Sequence, residues 1–187
     1  YRLEPVLLTQ EDVDNYYHGF ANEILWPLFH DLLDRCTFSP RYWPYYRSVN
    51  RKFALAIERN TRREDYIWVH DYHLMLVAEE LRRMDVARKM GFFLHIPFPP
   101  LDMFLKLPWR FQILRGLLDF DLVGFQTARD LRSFIQCVRA LLPETRTSGR
   151  QMAATVSYKD RTLRLGAFPI GIDFDKWSQV AHSQAVS

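Results

Sequence analysis

The sequence predicts an α/β fold: a Rossmann-like parallel sheet, doubly wound, with helices on both faces. Three observations carry this reading. Tyr66-Ile67-Trp68-Val69 and Gly91-Phe92-Phe93-Leu94 are short, continuously apolar runs of the kind that parallel strands show when both faces are buried. Between them Leu74, Leu76, Val77, Leu81 and Met84 are apolar and Glu79, Glu80, Arg82 and Arg83 polar, a helical spacing that completes a βαβ unit. Strand–helix alternation then repeats toward the end of the chain. The two strand runs stop abruptly, at His70-Asp71-Tyr72-His73 and at His95. Ligands of open α/β sheets collect outside the carboxyl ends of the strands, so Asp71 and His95 mark where function is expected.

Taken in order, Val6 to Leu8 reads as a short strand, and Thr9 with Glu11 and Asp12 behind it is a good helix start. Ile24, Leu25, Leu28, Phe29, Leu32 and Leu33 predict helix on both sides of Pro27, with Trp26 at the start of the second piece, because proline fits a first helical turn. Ser39-Pro40 opens a helix from about Arg41 to Asn60 with Tyr45, Val49, Phe53, Leu55 and Ile57 toward the core. A polar turn from Asn60 to Asp65 delivers the chain to the Tyr66 strand. After Pro100 come a short helical piece at Leu101–Leu105 and a second restarted by Pro108. Asp121 to Phe125 is a third strand, and Thr127 is positioned to cap a helix from Asp130 to Leu142. Thr145 to Arg150 reads as a polar turn, Ala153–Tyr158 and Thr162–Ala167 as an antiparallel hairpin around Lys159-Asp160, and Ala167 to Asp173 as an apolar strand leading into a turn.

The 187 residues suit one domain, 1–187, with a sizeable core, and 48% hydrophobic with 15% aromatic content excludes a disordered chain. The net charge of +3 comes from 25 basic and 22 acidic residues scattered along the chain, without the basic stripe of a nucleic-acid surface. That balance suits an anionic small molecule without requiring one. Cys36 and Cys137 lie far apart with neither metal spacing nor a disulfide framework, which suits reduced thiols in a cytoplasmic protein. No stretch reads as a membrane span or a signal peptide. The chain starts at Tyr1 inside an apparent strand, and a piece of a longer protein is expected.

His70, Asp71, His73 and His95 are metal-ligand types, but their spacing matches no usual metal pattern, so no metal is expected. Asp71 and His95 could form an acid/base pair or bind sugar hydroxyls, since a carboxylate accepts two and imidazole both donates and accepts. Asp71 could equally cap the following helix, and His70 and His73 are expected to make orienting hydrogen bonds. Tyr17 and Trp26, with Tyr16 and Asn22 nearby, offer flat faces with polar tips suited to a sugar ring or a phosphate, though such residues taken singly are more often core than ligand-binding. A nucleophile elbow, a Walker loop and a GxGxxG are all absent from the 187 residues.

Several long segments together resemble the trehalose-6-phosphate synthase family. They are Tyr16-Tyr17-His18-Gly19-Phe20, Leu25-Trp26-Pro27-Leu28-Phe29-His30, Trp68 to Leu74, Gly91 to Pro99, Asp121 to Thr127 and Phe168 to Asp173, with Asn22. The resemblance implies the N-terminal, acceptor-side domain of a GT-B glycosyltransferase that moves glucose from UDP-glucose to glucose 6-phosphate with retention. It implies that Tyr17 and Trp26 hold the acceptor and its phosphate, that Asp71 binds acceptor hydroxyls, and that His95 sits against the donor glucose. Asp71 and His95 are thus the implied catalytic residues. No cofactor is implied, the nucleotide sugar being a co-substrate. The implied partners are the two sugars and the C-terminal domain of the parent chain; a homo-oligomer is compatible, and neither nucleic acid nor membrane is implied. The family's Gly-rich loop, its early phosphate-binding Arg and its Arg-Leu-Asp-Tyr-Xaa-Lys-Gly type segment are not in the 187 residues, so the chain alone is expected to be inactive. Glucosylglycerol-phosphate synthase, using ADP-glucose and glycerol 3-phosphate, is the nearest alternative. A non-catalytic synthase-like regulatory subunit and a metal-dependent hydrolase are more distant ones.

Overall fold

The computed structural model describes residues 3–182. Its first element is one continuous helical stretch that changes pitch twice: α1 (Gln10–Asp12), a wide π-helical segment (Val13–Leu25) and α2 (Trp26–Phe29). Thr9 starts it as expected, its Oγ1 accepting from the Asp12 N–H at 3.1 Å while the Asp12 carboxylate accepts from the Thr9 N–H at 2.9 Å. The strand expected at Val6–Leu8 does not form. Leu3 and Leu7 are 92% and 85% exposed, and no strand among the described residues lies alongside to pair with them. Helix lies on both sides of Pro27 as expected, and α2 begins at Trp26 with Pro27 in its first turn, although the π segment runs into it without a break. Proline cannot donate to the carbonyl four residues back, and that Glu23 carbonyl instead accepts the N–H of Thr37 at 2.9 Å, drawing the following turn against the helix.

Helix α3 (Tyr42–Asn60) appears where its pattern placed it, but its buried face is rotated from the expected one. Tyr46, Val49, Asn50 and Ala54 are buried, whereas Tyr45 and Leu55 are only half-buried. A polar pair, Tyr46 and Asn50, therefore occupies core positions that a count of apolar residues passes over. The Tyr45 hydroxyl instead reaches outward to Glu11.

The sheet has six strands: β1 (Tyr66–His70), β2 (Lys89–Leu94), β3 (Leu122–Phe125), β4 (Arg146–Arg150), β5 (Ala153–Tyr158) and β6 (Arg161–Ala167). Their spatial order is β1-β2-β3-β6-β5-β4. The first four in that order are parallel, and β5 and β4 continue antiparallel. Helices α4 (Val77–Arg83), α5 (Leu101–Phe104), α6 (Arg110–Leu118) and α7 (Ala128–Leu141) fill the crossovers. The Thr127 cap is present, its Oγ1 accepting from the Asp130 N–H at 3.2 Å. The polar turn expected at Thr145–Arg150 is instead the edge strand β4, pairing residue by residue with β5.

The expectation of helices on both faces is met on one face among the described residues. Every parallel crossover advances in the same direction, and right-handed connections that never reverse must all lie on one side. That side buries Ile67, Val69, Met90, Phe92, Val123 and Phe125. On the other, Tyr66 and Trp68 are 55% and 64% exposed, over a hollow of about 560 Å³ that also meets Phe93, Phe168 and Ile170. Gly91, Gly124 and Gly166 lie on this face, and the rings of Tyr66, Phe93 and Phe168 fill the space their missing side chains leave. The strand expected to run through to Asp173 stops at Ala167. Beyond it Ile170 and Ile172 are exposed, and α8 (Phe174–Ala181) buries none of its residues.

Candidate functional site

The π-helical pitch arranges the upstream half of the site. The N–H of Trp26 bonds to the carbonyl of Ala21, five residues back, so residues in steps of four to five stack along one side of this helix. Tyr17, Asn22 and Trp26 follow such steps. In an ordinary α-helix Tyr17 and Trp26, nine residues apart, would point away from each other. Tyr17 and Trp26 remain 45% and 39% exposed although the helix around them is largely buried.

The segment after β1 forms the other half. Asp71 takes φ 71° and ψ 167°, a conformation otherwise close to glycine's alone. Its N–H donates to the Phe93 carbonyl at 2.8 Å and its carbonyl accepts from the Leu74 N–H at 3.1 Å, which pins the kink from both sides. The carboxylate does not cap the helical turn at Tyr72–Leu74. Its Oδ1 instead accepts from the His95 N–H at 3.2 Å, so Asp71 and His95 meet at the carboxyl ends of β1 and β2. Asp71 Oδ2 has no hydrogen-bond partner among the described residues.

His95 is held on its other side by His70, whose Nδ1 lies 2.9 Å from His95 Nε2. The Trp68 ring packs on His70 at 4.4 Å and the Phe93 ring on His95 at 4.9 Å. Burial, the neighbouring His95 and, in opposition, Asp71 together hold the His70 pKa below its ordinary value. His73 stacks face to face with Tyr17, with centroids 5.4 Å apart and planes at 11°, and lies 4.0 Å from the Tyr72 ring. Its Nε2 is buried without a hydrogen-bond partner among the described residues, and burial lowers its pKa. The Tyr72 hydroxyl donates to Asn22 Oδ1 at 2.9 Å, which ties the loop to the π helix.

Three of the four expected site residues are thus brought together: Asp71 and His95 directly, and Tyr17 through His73. Trp26 stacks on His30 at 4.2 Å, and no hydrogen bond or ring contact joins it to Asp71 or His95 among the described residues. Sequence reasoning missed the supports beneath. The buried Tyr46 hydroxyl donates to the Tyr72 carbonyl at 2.7 Å and accepts from the Met75 N–H at 3.2 Å. Asn50 donates to the His73 carbonyl at 3.0 Å and accepts from the Leu76 N–H at 3.0 Å. A tyrosine and an asparagine four residues apart on a core-facing helix stripe were the available signal.

No group of three or more His, Cys, Asp and Glu side chains is placed to hold a metal ion among the described residues, and no described helix is long and apolar enough to cross a membrane. Bare acceptors and aromatic faces at the carboxyl edge of a parallel sheet suit a hydroxyl-rich ligand.

The fold and the site therefore define an α/β protein that collects polar groups at one sheet edge. The chain belongs to glycosyltransferase family 20, which it matches over residues 1–187. It is 42% identical to the trehalose-6-phosphate synthase of Mycobacterium ulcerans over 99% of the chain, and 42% identical to that of Mycolicibacterium vanbaalenii over 98%. It superposes on an α,α-trehalose-phosphate synthase (UDP-forming) from Burkholderia xenovorans in complex with glucose-6-phosphate, with a TM-score of 0.86, 37% identity and 96% of the chain covered. A structure from E. coli bound with UDP-2-fluoro glucose gives a TM-score of 0.83 at 38% identity over 94% of the chain. These neighbours bear out the α/β fold class and its place in the GT-B architecture. The chain spans 38% of the length of each of those two curated relatives, 40% of the B. xenovorans chain and 38% of the E. coli chain.

Proposed function

We propose that the longer protein containing this chain transfers glucose from UDP-glucose to glucose 6-phosphate with retention of configuration, giving trehalose 6-phosphate. Residues 1–187 supply the acceptor-side domain, and a C-terminal nucleotide-sugar domain closes the cleft. The observation that carries the reading is the convergence of Tyr17, Asp71 and His95 at one sheet edge, with Asp71 Oδ2 unpartnered among the described residues. Relatives crystallised with glucose-6-phosphate and with UDP-2-fluoro glucose support it.

Asp71 Oδ2 accepts acceptor hydroxyls, Tyr17 and Trp26 line the acceptor and its phosphate, and His95 faces the donor glucose. The acceptor hydroxyl oxygen bonds to the anomeric carbon as the bond from that carbon to the nucleotide phosphate breaks. The hydroxyl proton passes to the departing phosphate, so neither Asp71 nor His95 has to take it. Their contribution is orientation and electrostatic complementarity. The nucleotide sugar is a co-substrate, and no further cofactor enters the balance.

The test is calorimetric titration of glucose 6-phosphate into the longer protein, with glucose and glycerol 3-phosphate as controls and Asp71→Asn alongside. Preference for glucose 6-phosphate, weakened roughly ten-fold in the variant, is expected for one lost charged hydrogen bond. Preference for glycerol 3-phosphate, or no binding, would overturn the assignment.

A further inference from the structure

His70 and His95 are two imidazoles with ring nitrogens 2.9 Å apart, and that distance carries a constraint. A hydrogen bond there needs one N–H and one lone pair, because two facing N–H groups or two facing lone pairs repel. The tautomers of the rings are therefore linked. If His70 Nδ1 donates, His95 accepts at Nε2 and carries its proton on Nδ1. If His95 Nε2 donates, its Nδ1 presents a lone pair. Neither ring turns freely: Trp68 covers His70, Phe93 meets His95 edge-on, and the His95 backbone is tied to Asp71. Asp71 is adjacent in sequence, and Tyr66 and Gln126 line the same hollow as the two rings. Burial and the facing ring favour neutral His70.

We infer that His70 is a positioning residue: by holding His95 Nε2 it ties the polarity that His95 Nδ1 presents to the donor sugar to the tautomer of His70. The inference rests on the glucosyl-transfer reading and extends it to a residue that does not itself touch substrate. A buried structural histidine would be spent on backbone partners. His70 spends Nδ1 on another ring at the carboxyl edge of the sheet, where a ligand arrives.

The experiment uses the longer protein with 15N-labelled histidine, carrying His70→Phe or His70→Gln, and reads ring-nitrogen chemical shifts together with transfer kinetics. In the unsubstituted protein the His95 nitrogens should report a tautomer complementary to that of His70. His70→Phe, which keeps a flat ring and removes the bond, should leave a tautomer mixture at His95. It should lower kcat by between roughly ten- and a hundred-fold with little change in KM for the sugar phosphate. His70→Gln restores a hydrogen-bonding partner and should recover part of both signals. Unchanged His95 shifts in His70→Phe would overturn the proposal, and so would a changed spectrum with unchanged kcat. An unsubstituted protein with a His95 tautomer complementary to that of His70 but no glucosyl transfer would sink the functional reading and, with it, the donor-site role of His70, while the spectra still showed the ring coupling.

Discussion

Asp71 and His95 are 24 residues apart in the chain, and one 3.2 Å hydrogen bond from the His95 N–H to Asp71 Oδ1 joins them across the ends of two neighbouring strands. Asp71 makes that bond from a backbone conformation that costs a non-glycine residue about 1–3 kcal/mol. Asp71→Gly should therefore lose the bond and shed the strain, whereas Asp71→Ala loses the bond and keeps the strain. Urea unfolding of the two variants should find glycine more stable than alanine by about 1–2 kcal/mol after glycine's own entropy cost. An alanine variant as stable as the glycine variant would mean that the kink carries no strain.

Tyr46→Phe should destabilise the fold by about 1–3 kcal/mol, because it strands the Tyr72 carbonyl and the Met75 N–H where no water reaches. Burial holds the Tyr46 hydroxyl protonated well beyond the ordinary tyrosine range, so the loss should be independent of pH up to alkaline conditions. A thermal midpoint equal to that of the unsubstituted protein would contradict it.

Gly116→Ala should run against helix propensity. A Cβ there would stand 2.6 Å from the Leu76 side chain and 3.0 Å from the Met75 carbonyl, where α6 crosses the start of α4. An exposed helix gains about 0.5–1 kcal/mol from this change, but pushing on a backbone carbonyl costs about 1–3 kcal/mol. Denaturant melts should show a net loss; a gain would mean that α6 shifts freely.

Acid should weaken the fold through two histidines. Burial holds His73 below its ordinary 6.5, and burial with the neighbouring His95 does the same to His70. A group whose folded pKa is depressed contributes stability that is complete above its unfolded value, declines as pH falls below it, and is lost through the folded value. Unfolding free energy should therefore drop between pH 7.5 and 5.5. His73→Phe, which keeps the ring stack on Tyr17, should flatten that drop, and an equally steep drop in the variant would exclude His73 as a source.

What the sequence disclosed was local, and what it hid depended on neighbours. The Thr127 cap and the Tyr66, Gly91 and Leu122 strands rest on short-range chemistry, and all were readable. Asp71 and His95 stood out because polar residues closed apolar runs. The widened pitch that aligns Tyr17 with Trp26 has no compositional mark. Neither has β4, whose Arg-Thr-Ser-Gly-Arg is a strand only because β5 lies beside it. Ile170 and Ile172 mislead in the opposite sense: apolar alternation without a partner strand gives an exposed segment. The tilt of the α3 face toward Tyr46 and Asn50 follows from hydrogen bonds to a loop that a one-dimensional pattern cannot see.

The sheet order also sets an order of assembly during synthesis. On the ribosome β1, β2 and β3 emerge in the sequence in which they pair, so each new strand finds its template already in place. The β4–β5 ribbon emerges next with no strand to pair with, because among the described residues it joins the sheet through β6, which pairs β3 on one side and β5 on the other. A two-stranded ribbon is marginal alone. Release of Arg161–Ala167 is therefore the event that joins two separate pieces into one sheet, and a nascent chain halted before it holds a three-stranded stub with an open edge at β3.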